Sequence, residues 1–312
     1  MRIALSVIQA TLLLLIAPLV RGVISRLKAR IQNRRGASVL RPYRDLLKLL
    51  RKEDLVAPTA SGLFRVVPVV VLVATIVATL FVPVLQDSAI LSMSGDFVLL
   101  VYFLALARFF LMLGGFDGGS SFGGMGASRE AMVSTLAEAP FLLGLFALAI
   151  FARTTSISGV MQWMAQQGAT QFTAVQALAL VALALVAIAE TGRIPVDNPA
   201  THLELTMIHE AMVLEYSGPS LAFIELASAL KLTLISALLI NLFVPWGIAA
   251  ELSPAAVLFA VVAFIVKVSL VAAGIAVIES GVAKLRMYLV PDFLGVSLAL
   301  SLLAMVFAGL SR

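Results

Sequence analysis

The sequence predicts an all-α membrane protein with about eight transmembrane helices, and three observations support this prediction. Apolar residues make up 61% of the 312 positions. Charged residues make up 12%, whereas about 25% is usual in a soluble domain. The apolar residues form continuous runs, whereas barrel strands alternate polar and apolar residues over about ten positions. Lipid is therefore the expected solvent, and a single transmembrane domain over 1–312 is expected.

Eight apolar runs approach the length of a transmembrane helix. A bilayer core of about 30 Å needs about 20 apolar residues per helix. The first run is interpreted as a retained helix, because the basic residues follow it, whereas in a signal peptide they precede it. The predicted spans are Ile3–Val20, Val66–Leu85, Phe97–Leu113, Ala131–Ala152, Phe172–Ala189, Leu221–Phe243, Ala255–Ile278 and Phe293–Leu310.

The distribution of basic residues predicts the orientation. Half of the 22 Lys and Arg residues lie between Arg21 and Lys52, in a predicted basic loop over 21–62. Cytoplasmic loops are enriched in Lys and Arg, so this loop is placed in the cytoplasm. Counting spans places Arg129 and Arg193 there too, and both termini on the outer face of the cytoplasmic (inner) membrane. The net charge of +5 then reflects topology, and no nucleic-acid partner is predicted.

The basic loop contains a predicted amphipathic helix. Pro42 suits a first helical position, and the leucines that follow share one face with Tyr43. The pattern favours a helix at the membrane surface or beneath a partner protein, and an anchor that contacts only lipid headgroups is equally compatible. The candidate docking residues are Arg34, Arg35, Arg41, Tyr43, Arg44, Asp45, Lys48, Arg51, Arg129 and Arg193.

A second predicted loop, 190–218, is rich in carboxylates on the side where positive charge is expected. Asp197 and the two residues after it are predicted to begin a helix that carries Glu204 and Glu215 three turns apart. His202 and His209 lack the i, i+4 spacing of a helical zinc pair, so no metal site is predicted. A solvated acidic loop is the alternative interpretation.

Charged residues also lie within the predicted spans, where each costs about 2.5–3.5 kcal/mol. Ion pairs, such as Glu225 with Lys231 or Lys267, would permit their insertion. A proton relay is the alternative, because burial shifts the pKa values of carboxyl and amino groups toward the range where protons exchange. The candidate proton-pathway residues are Glu138, Glu190, Asp197, Glu204, Glu210, Glu215, Glu225, Lys231, Lys267 and Glu279.

The sequence also limits the cofactors that the chain could hold. Cysteine is absent, so the chain supplies no thiolate ligand to an iron–sulfur cluster or a nickel–iron centre. The glycine-rich stretch 114–124 lacks the Lys-Ser/Thr of a phosphate-binding loop, and a close-packed loop is expected there. The sequence contains no internal repeat of the kind expected in a transporter built from two related halves.

Several motifs resemble the complex I subunit 1 family, whose members lie in the membrane arm of NADH–quinone oxidoreductase. They are Glu190–Asp197, Glu215–Gly218, Gly126–Glu130 with Glu138, and Lys48–Asp54. Asn33–Gly36, Tyr43–Asp45 and Thr201–Leu205 resemble the branch found in energy-converting nickel–iron hydrogenases and formate hydrogenlyase. Thr201–Leu205 replaces the more acidic run of quinone-reducing members, which favours the hydrogenase branch.

The resemblance implies a non-catalytic subunit that couples distant redox chemistry to ion movement through its buried acids. The basic and acidic loops would dock hydrogenase large and small subunits and iron–sulfur subunits, with antiporter-like subunits alongside in the membrane. The metal centres would lie in those partners and this chain would hold no cofactor. Protons and sodium ions are both compatible. A quinone-site subunit of an NADH–quinone oxidoreductase, a stand-alone ion-coupled transporter and a structural anchor are the alternatives.

Overall fold

The computed structural model describes residues 2–86, 88–89, 91–167, 172–198, 207–249 and 253–310. These residues are almost entirely helical, and their only β-structure is an isolated bridge between Gln86 and Ala249. The all-α prediction is confirmed. The helices are α1 (Arg2–Ile31), α2 (Arg41–Leu50), α3 (Gly62–Thr79), α4 (Asp96–Asp117), α5 (Ser121–Ala152), α6 (Ile157–Gln167), α7 (Ala174–Glu190), α8 (His209–Val213), α9 (Gly218–Phe243), α10 (Pro254–Gly281) and α11 (Val290–Leu310).

Each predicted span overlaps one helix of the described residues. Seven of these helices are long and apolar enough to cross a membrane. The eighth, α7, has 17 residues, about 25 Å at a rise of 1.5 Å per residue. The protein is therefore a polytopic membrane protein, as predicted. Helix α7 is the shortest of the eight helices that overlap predicted spans.

Two helices extend well beyond the predicted spans. Helix α1 continues past Val20 to Ile31, so the first part of the predicted basic loop is helical. The chain leaves this helix where Asn33 and Gly36 adopt left-handed backbone conformations. Helix α5 begins at Ser121, ten residues before the predicted span. Hydropathy alone underestimates such helices because their polar ends remain helical outside the apolar core.

Glycines allow α4 and α5 to approach closely where they meet. The side chain of Ser120 caps α5 by accepting a hydrogen bond from the N–H of Gly123. A Cβ on Gly123 would lie 2.4 Å from the carbonyl oxygen of Gly115 on α4. The glycine-rich stretch is thus closely packed, as predicted, but it consists of two helix ends and a short turn rather than a loop throughout.

The connections between helices divide into two opposite faces. On one, called here the loop face, Asp117 accepts hydrogen bonds from the N–H groups of Ser61 and Phe64, and Leu285 donates to the carbonyl of Pro195. The loop face comprises residues 32–61, 118–120, 191–198, 207–217 and 282–289. The opposite face carries the beginning of α1 and the end of α11. The start of α1 and the end of α11 thus lie on the same side of the bundle.

The acidic loop differs from its prediction. Within the described residues, its helical part is the five-residue α8, His209–Val213, and Glu215 lies beyond its end. The predicted helix from Asp197 through Glu215 is therefore wrong at its C-terminal end. The Asp197 carboxylate accepts a hydrogen bond from the N–H of His209 instead, which holds the start of α8 against the beginning of the loop.

Candidate functional site

Arg108 lies at the centre of a buried cluster of charges contributed by four helices. Its guanidinium, on α4, donates to Glu190 at the end of α7 and, at 3.2 Å, to Glu138 on α5. The ammonium of Lys231, on α9, lies 3.0 Å from the other carboxylate oxygen of Glu190. The Arg108 and Glu190 side chains are 6% and 1% exposed. We call these four residues the central cluster.

The charge balance of the central cluster explains how it can exist inside an apolar bundle. Two cations face two carboxylates, so the formal charges cancel. Burying an unpaired charge costs several kcal/mol or more, whereas a paired and hydrogen-bonded charge is tolerated. The arginine is suited to the centre because its planar guanidinium can donate to two carboxylates at once.

A second ion pair lies closer to the loop face. Arg21 on α1 donates to the carboxylate of Glu225 on α9. Their side chains are 26% and 24% exposed. Glu225 lies six residues before Lys231 on the same helix, so the pair and the central cluster are separated by less than two helical turns.

Three further contacts join the ends of α1 and α10 to each other and to the acidic loop. Glu279, at the end of α10, accepts hydrogen bonds from Lys28 at 3.2 Å and from Arg193 at 3.1 Å. Asp197 accepts one from Lys284 at 2.7 Å. These contacts fix the beginning of the acidic loop against the body of the bundle.

A cavity of about 800 Å³, which includes its open mouth, lies between these groups. Its apolar wall comes from α3, α4 and α9. Glu210 and His209 of α8 and Glu130 of α5 contribute further titratable groups. The charged and imidazole side chains that line it are Arg21, Arg108, Glu130, Glu190, Arg193, Asp197, His209, Glu210 and Lys231. The cavity thus connects the loop face with the central cluster.

Glu210 faces this cavity from outside the membrane-spanning helices. Burial raises the pKa of Glu210 above the ordinary glutamate value, and the nearby Glu225 and Asp197 carboxylates raise it further. His209 and Arg21 act in the opposite direction without cancelling the effect of burial. Glu210 therefore takes up a proton more readily than an exposed glutamate does.

Glu138 is the member of the central cluster that reaches the lateral surface of the bundle. Its side chain is 37% exposed although it lies within α5. It borders a groove of about 1170 Å³, open at the side, between α4 and α5. Tyr102, Ser134 and Thr135 line this groove beside it. Polar groups therefore run from the loop-face cavity through the central cluster to the lateral surface.

The structure brings most of the predicted proton-pathway residues together. Glu138, Glu190 and Lys231 belong to the central cluster. Glu215 lies on the loop face, where its side chain packs near Gly118, and Lys267 lies toward the opposite face. Those at or beside the cavity are Asp197, Glu210, Glu225 and Glu279. Glu204 and His202 lie outside the described residues.

The predicted ion pairing of Glu225 is wrong. Glu225 pairs with Arg21, and Lys231 pairs with Glu190. Lys267 donates to the carbonyl oxygen of Val244 at 2.8 Å. Glu225 and Lys231 lie six positions apart on one helix and so point in different directions.

The candidate docking residues fall into two groups. Arg129 donates to the carbonyl of Met207, and Arg193 is buried in its pair with Glu279. Tyr43 is partly buried and donates to the carbonyl of Leu15. The exposed members are Arg34, Arg35, Arg41, Arg44, Asp45, Lys48 and Arg51. The predicted amphipathic helix is present as α2, and its basic side chains are available at the loop face.

The sequence prediction missed Arg108, Arg21 and Glu130. Arg108 lies in the middle of the apolar segment Phe97–Leu113, so the criterion that selected Glu138 would also have selected it. Arg21 was counted as part of the basic loop because the first helix was predicted to end too early. Glu130 lay in the stretch interpreted as preceding the fourth span.

The chain has no cysteine. Among the described residues, no group of three or more His, Asp or Glu side chains is arranged to hold a metal ion. The charged side chains of the central cluster are instead paired with one another.

The fold and the site together define a membrane-embedded subunit of the kind found in complex I-like assemblies. The NADH dehydrogenase family matches residues 3–309, and the chain belongs to that family, whose members resemble subunit 1 of complex I. This confirms the family predicted from the sequence motifs.

Two relatives from Escherichia coli (strain K12) match almost the whole chain. Hydrogenase-4 component C is 35% identical over 300 residues, covering 96% of this chain and 93% of the relative. Formate hydrogenlyase subunit 4 is 34% identical over 311 residues, covering 98% of each. A chain in the structure of the membrane-bound sulfane sulfur reductase, an archaeal respiratory membrane complex, has the same fold. Its TM-score is 0.85 at 20% identity, with 97% of this chain and 98% of that chain covered.

Proposed function

We propose that this chain is the membrane subunit of a complex I-like energy-converting nickel–iron hydrogenase or formate hydrogenlyase. In this role the loop face docks the peripheral arm, and the buried charges couple its redox chemistry to the movement of protons or sodium ions. The two relatives from hydrogenase-4 and formate hydrogenlyase support the assignment of the complex. The observation that carries the coupling role is the run of polar groups from the loop-face cavity through Arg108 and Glu190 to Glu138.

The central cluster has the properties that a charge-transfer path needs. Charged groups inside membrane segments are costly and mark ion or proton pathways. Arg108 and Lys231 both contact Glu190. A proton or cation that binds to Glu190 therefore weakens the electrostatic attraction between its carboxylate and both cations. Arg108 also contacts Glu138 and transmits that change to the lateral groove.

The proposed partners follow from the two exposed ends of the path. Hydrogenase large and small subunits and iron–sulfur subunits would bind the loop face beside the basic side chains of α2, and they would hold the nickel–iron centre and the iron–sulfur clusters. An antiporter-like membrane subunit would lie beside Glu138. The chain itself would hold no cofactor and no reacting metal.

The proposed location is the cytoplasmic (inner) membrane, with the loop face in the cytoplasm and both termini outside. The dense basic residues of the loop face support this orientation. Because the chain lacks cysteine, single-cysteine variants can test it. A membrane-impermeant maleimide should label Ser94→Cys in intact cells and Ser38→Cys only after permeabilisation. The reverse labelling pattern would contradict the orientation.

The first experiment is mass spectrometry of the complex that co-purifies with a tag on this chain. Hydrogenase large and small subunits are the expected partners. Flavin-bearing NADH-oxidising subunits would move the chain to the quinone-reducing branch. Purification without partners, together with transport activity in liposomes, would favour a stand-alone transporter.

The coupling role is tested with Glu138→Gln, which keeps the shape of the side chain and removes its charge. Ion movement per turnover in membrane vesicles should fall clearly below the wild-type ratio, because the change removes the charged group at the lateral end of the proposed path. The matched control is Asp292→Asn, because Asp292 is an exposed carboxylate in the first turn of α11 and lies outside the candidate docking residues. Unchanged ion movement in an assembled Glu138→Gln complex would favour the structural-anchor alternative.

A second candidate function has a specific observation in its favour. A cavity of about 1050 Å³, which includes its open mouth, lies between α1, α2 and α9 and is lined by Pro18, Gly22, Leu46, Leu49 and Glu225, among others. Its mixture of apolar and charged groups suits the ring and head group of a quinone. An increase in the Tm of the purified complex on addition of a quinone-site inhibitor would support this function. An unchanged Tm would favour the hydrogenase role.

A further inference from the structure

Lys267 is a buried cation held by uncharged oxygen atoms. It lies in the middle of α10 and is 4% exposed. Its ammonium donates to the carbonyl oxygen of Val244 at 2.8 Å and lies 3.4 Å from the side-chain oxygen of Asn241. Within the described residues, no carboxylate forms an ion pair with it. The ammonium of Lys231, by contrast, is paired with Glu190.

The oxygen atoms around Lys267 belong to the C-terminal end of α9. The last carbonyl groups of a helix lack intrahelical partners, and the helix dipole makes that end equivalent to about half a negative charge. Val244 is the residue that caps α9. The ammonium therefore compensates a helix end, which is a different arrangement from the ion pairs near the loop face.

The position of these oxygen atoms is fixed by neighbouring contacts. The Asn241 side chain, which is 1% exposed, donates to the carbonyl of Pro83 at 3.0 Å, and this directs its oxygen toward Lys267. The ring of Trp246 covers the ammonium, with its centroid 5.1 Å from Nζ. An aromatic face attracts a cation, so the surroundings of Nζ are arranged for a positive charge.

This is the chemistry of a monovalent cation site. In ion-coupled transporters, unwound carbonyls and helix C-terminal ends coordinate Na⁺ or H⁺ near the middle of the membrane. We propose that the end of α9 forms such a site and that Lys267 occupies it as a built-in cation, which excludes Na⁺. This assignment rests on the proposed function, and it makes Lys267 a specificity-determining residue that restricts this part of the chain to protons.

The test is thermal unfolding of the complex purified through a tag on this chain, in equal concentrations of sodium chloride and choline chloride. Lys267→Ala removes the ammonium and leaves space for an ion. Its Tm should be about 3 °C higher in sodium, the shift expected when a ligand is present at about ten times its dissociation constant. The wild-type complex should show the same Tm in both salts.

Two control variants make the test specific. Lys267→Met also removes the charge but fills the space, so its Tm should not depend on sodium. Equal behaviour of the Ala and Met variants would overturn the proposal, as would failure of the Ala variant to assemble in either salt while the Met variant assembles. Glu251, in the loop after α9, lies outside the described residues. Loss of the sodium-dependent Tm in the double variant Lys267→Ala/Glu251→Gln would assign the bound Na⁺ to that carboxylate rather than to the end of α9 and would overturn the proposal.

Failure of this proposal can be distinguished from failure of the proposed function. The thermal shift reports cation binding and needs no ion movement, whereas the partners and the effect of Glu138→Gln report the function. Where the complex is coupled, ion movement by the wild type should be independent of sodium, and ion movement by Lys267→Ala should become sodium-dependent. Sodium-dependent movement by the wild type would contradict the assignment of Lys267 as the residue that excludes Na⁺.

Discussion

The two halves of the bundle are held together by different chemistry. Between the loop face and the middle of the bundle, helices are joined by ion pairs such as Arg21–Glu225 and Arg108–Glu190. Toward the opposite face, no ion pair is found among the described residues, and buried polar side chains bond to main-chain groups or to uncharged side chains in most cases. Gln9 donates to the carbonyl of Val82 at 2.7 Å.

The buried polar groups of the two halves differ in how much they contribute to stability. A hydrogen bond to a main-chain group satisfies a buried polar atom at little cost. A buried ion pair adds little net stability, and a well-packed apolar pair is often as stable or more stable. In the proposed function, the charges near the loop face serve coupling, whereas the contacts of the opposite half hold the fold together.

The largest effect should come from Glu190→Ala. This change leaves Arg108 and Lys231 without the carboxylate that they share, and breaking a buried ion pair by removing one partner costs about 3–5 kcal/mol. Thermal unfolding of the purified complex should show a large loss of stability. The matched control is Asp292→Ala, which removes an exposed carboxylate from the first turn of α11 and should cost about 1 kcal/mol or less. Equal losses in the two variants would break the comparison.

An intermediate effect should come from Asp96→Ala in the opposite half. The Asp96 carboxylate is fully buried and accepts hydrogen bonds from the N–H of Ile157 at 2.8 Å and from Ser156 at 2.9 Å, at the start of α6. Loss of such a cap costs about 1–2 kcal/mol. Stability should fall while ion movement per turnover remains at the wild-type level.

The outcome for Asp96 sharpens the contrast between the halves. A carboxylate is removed in both variants, but only the loop-face variant, Glu190→Ala, should lose coupling along with stability. Loss of coupling in an assembled Asp96→Ala complex would show that the opposite half also takes part in ion movement.

The sequence predicted the helices better than their contacts. The spans were found because a run of apolar residues needs no knowledge of its neighbours, and α2 was found because Pro42 and its amphipathic pattern are local. The partner of Glu225 could not be found in this way, because Arg21 meets it through the packing of α1 on α9. Arg108 was within reach of the same local criterion that selected Glu138.

A smaller effect, of opposite sign, should come from Tyr216→Phe on the loop face. The Tyr216 ring stacks on Phe64 with centroids 3.9 Å apart, and its buried hydroxyl has no hydrogen-bond partner among the described residues. Removing an unsatisfied buried polar group of this kind is neutral or stabilising by about 1 kcal/mol. Thermal unfolding should show equal or higher stability. A marked loss would mean that the hydroxyl has a partner in the assembled complex.

The smallest effect should be the pH dependence introduced by Glu210. Because burial raises the pKa of this carboxyl in the folded protein, the folded state retains a proton that the unfolded state has already lost. Stability therefore falls as the pH rises from the ordinary glutamate pKa through the raised value. Glu210→Gln mimics the protonated form, so it should be more stable than the wild type above the raised pKa and equal to it below the ordinary pKa.

The measurement is thermal unfolding of both complexes across this range of pH. The Asp292→Asn variant serves as the control, since it alters an exposed carboxylate next to the same face. A constant difference between Glu210→Gln and the wild type at every pH would show that Glu210 does not titrate within the cavity, and the loop-face half would then lack the proton-accepting group that most clearly distinguishes it from the opposite half.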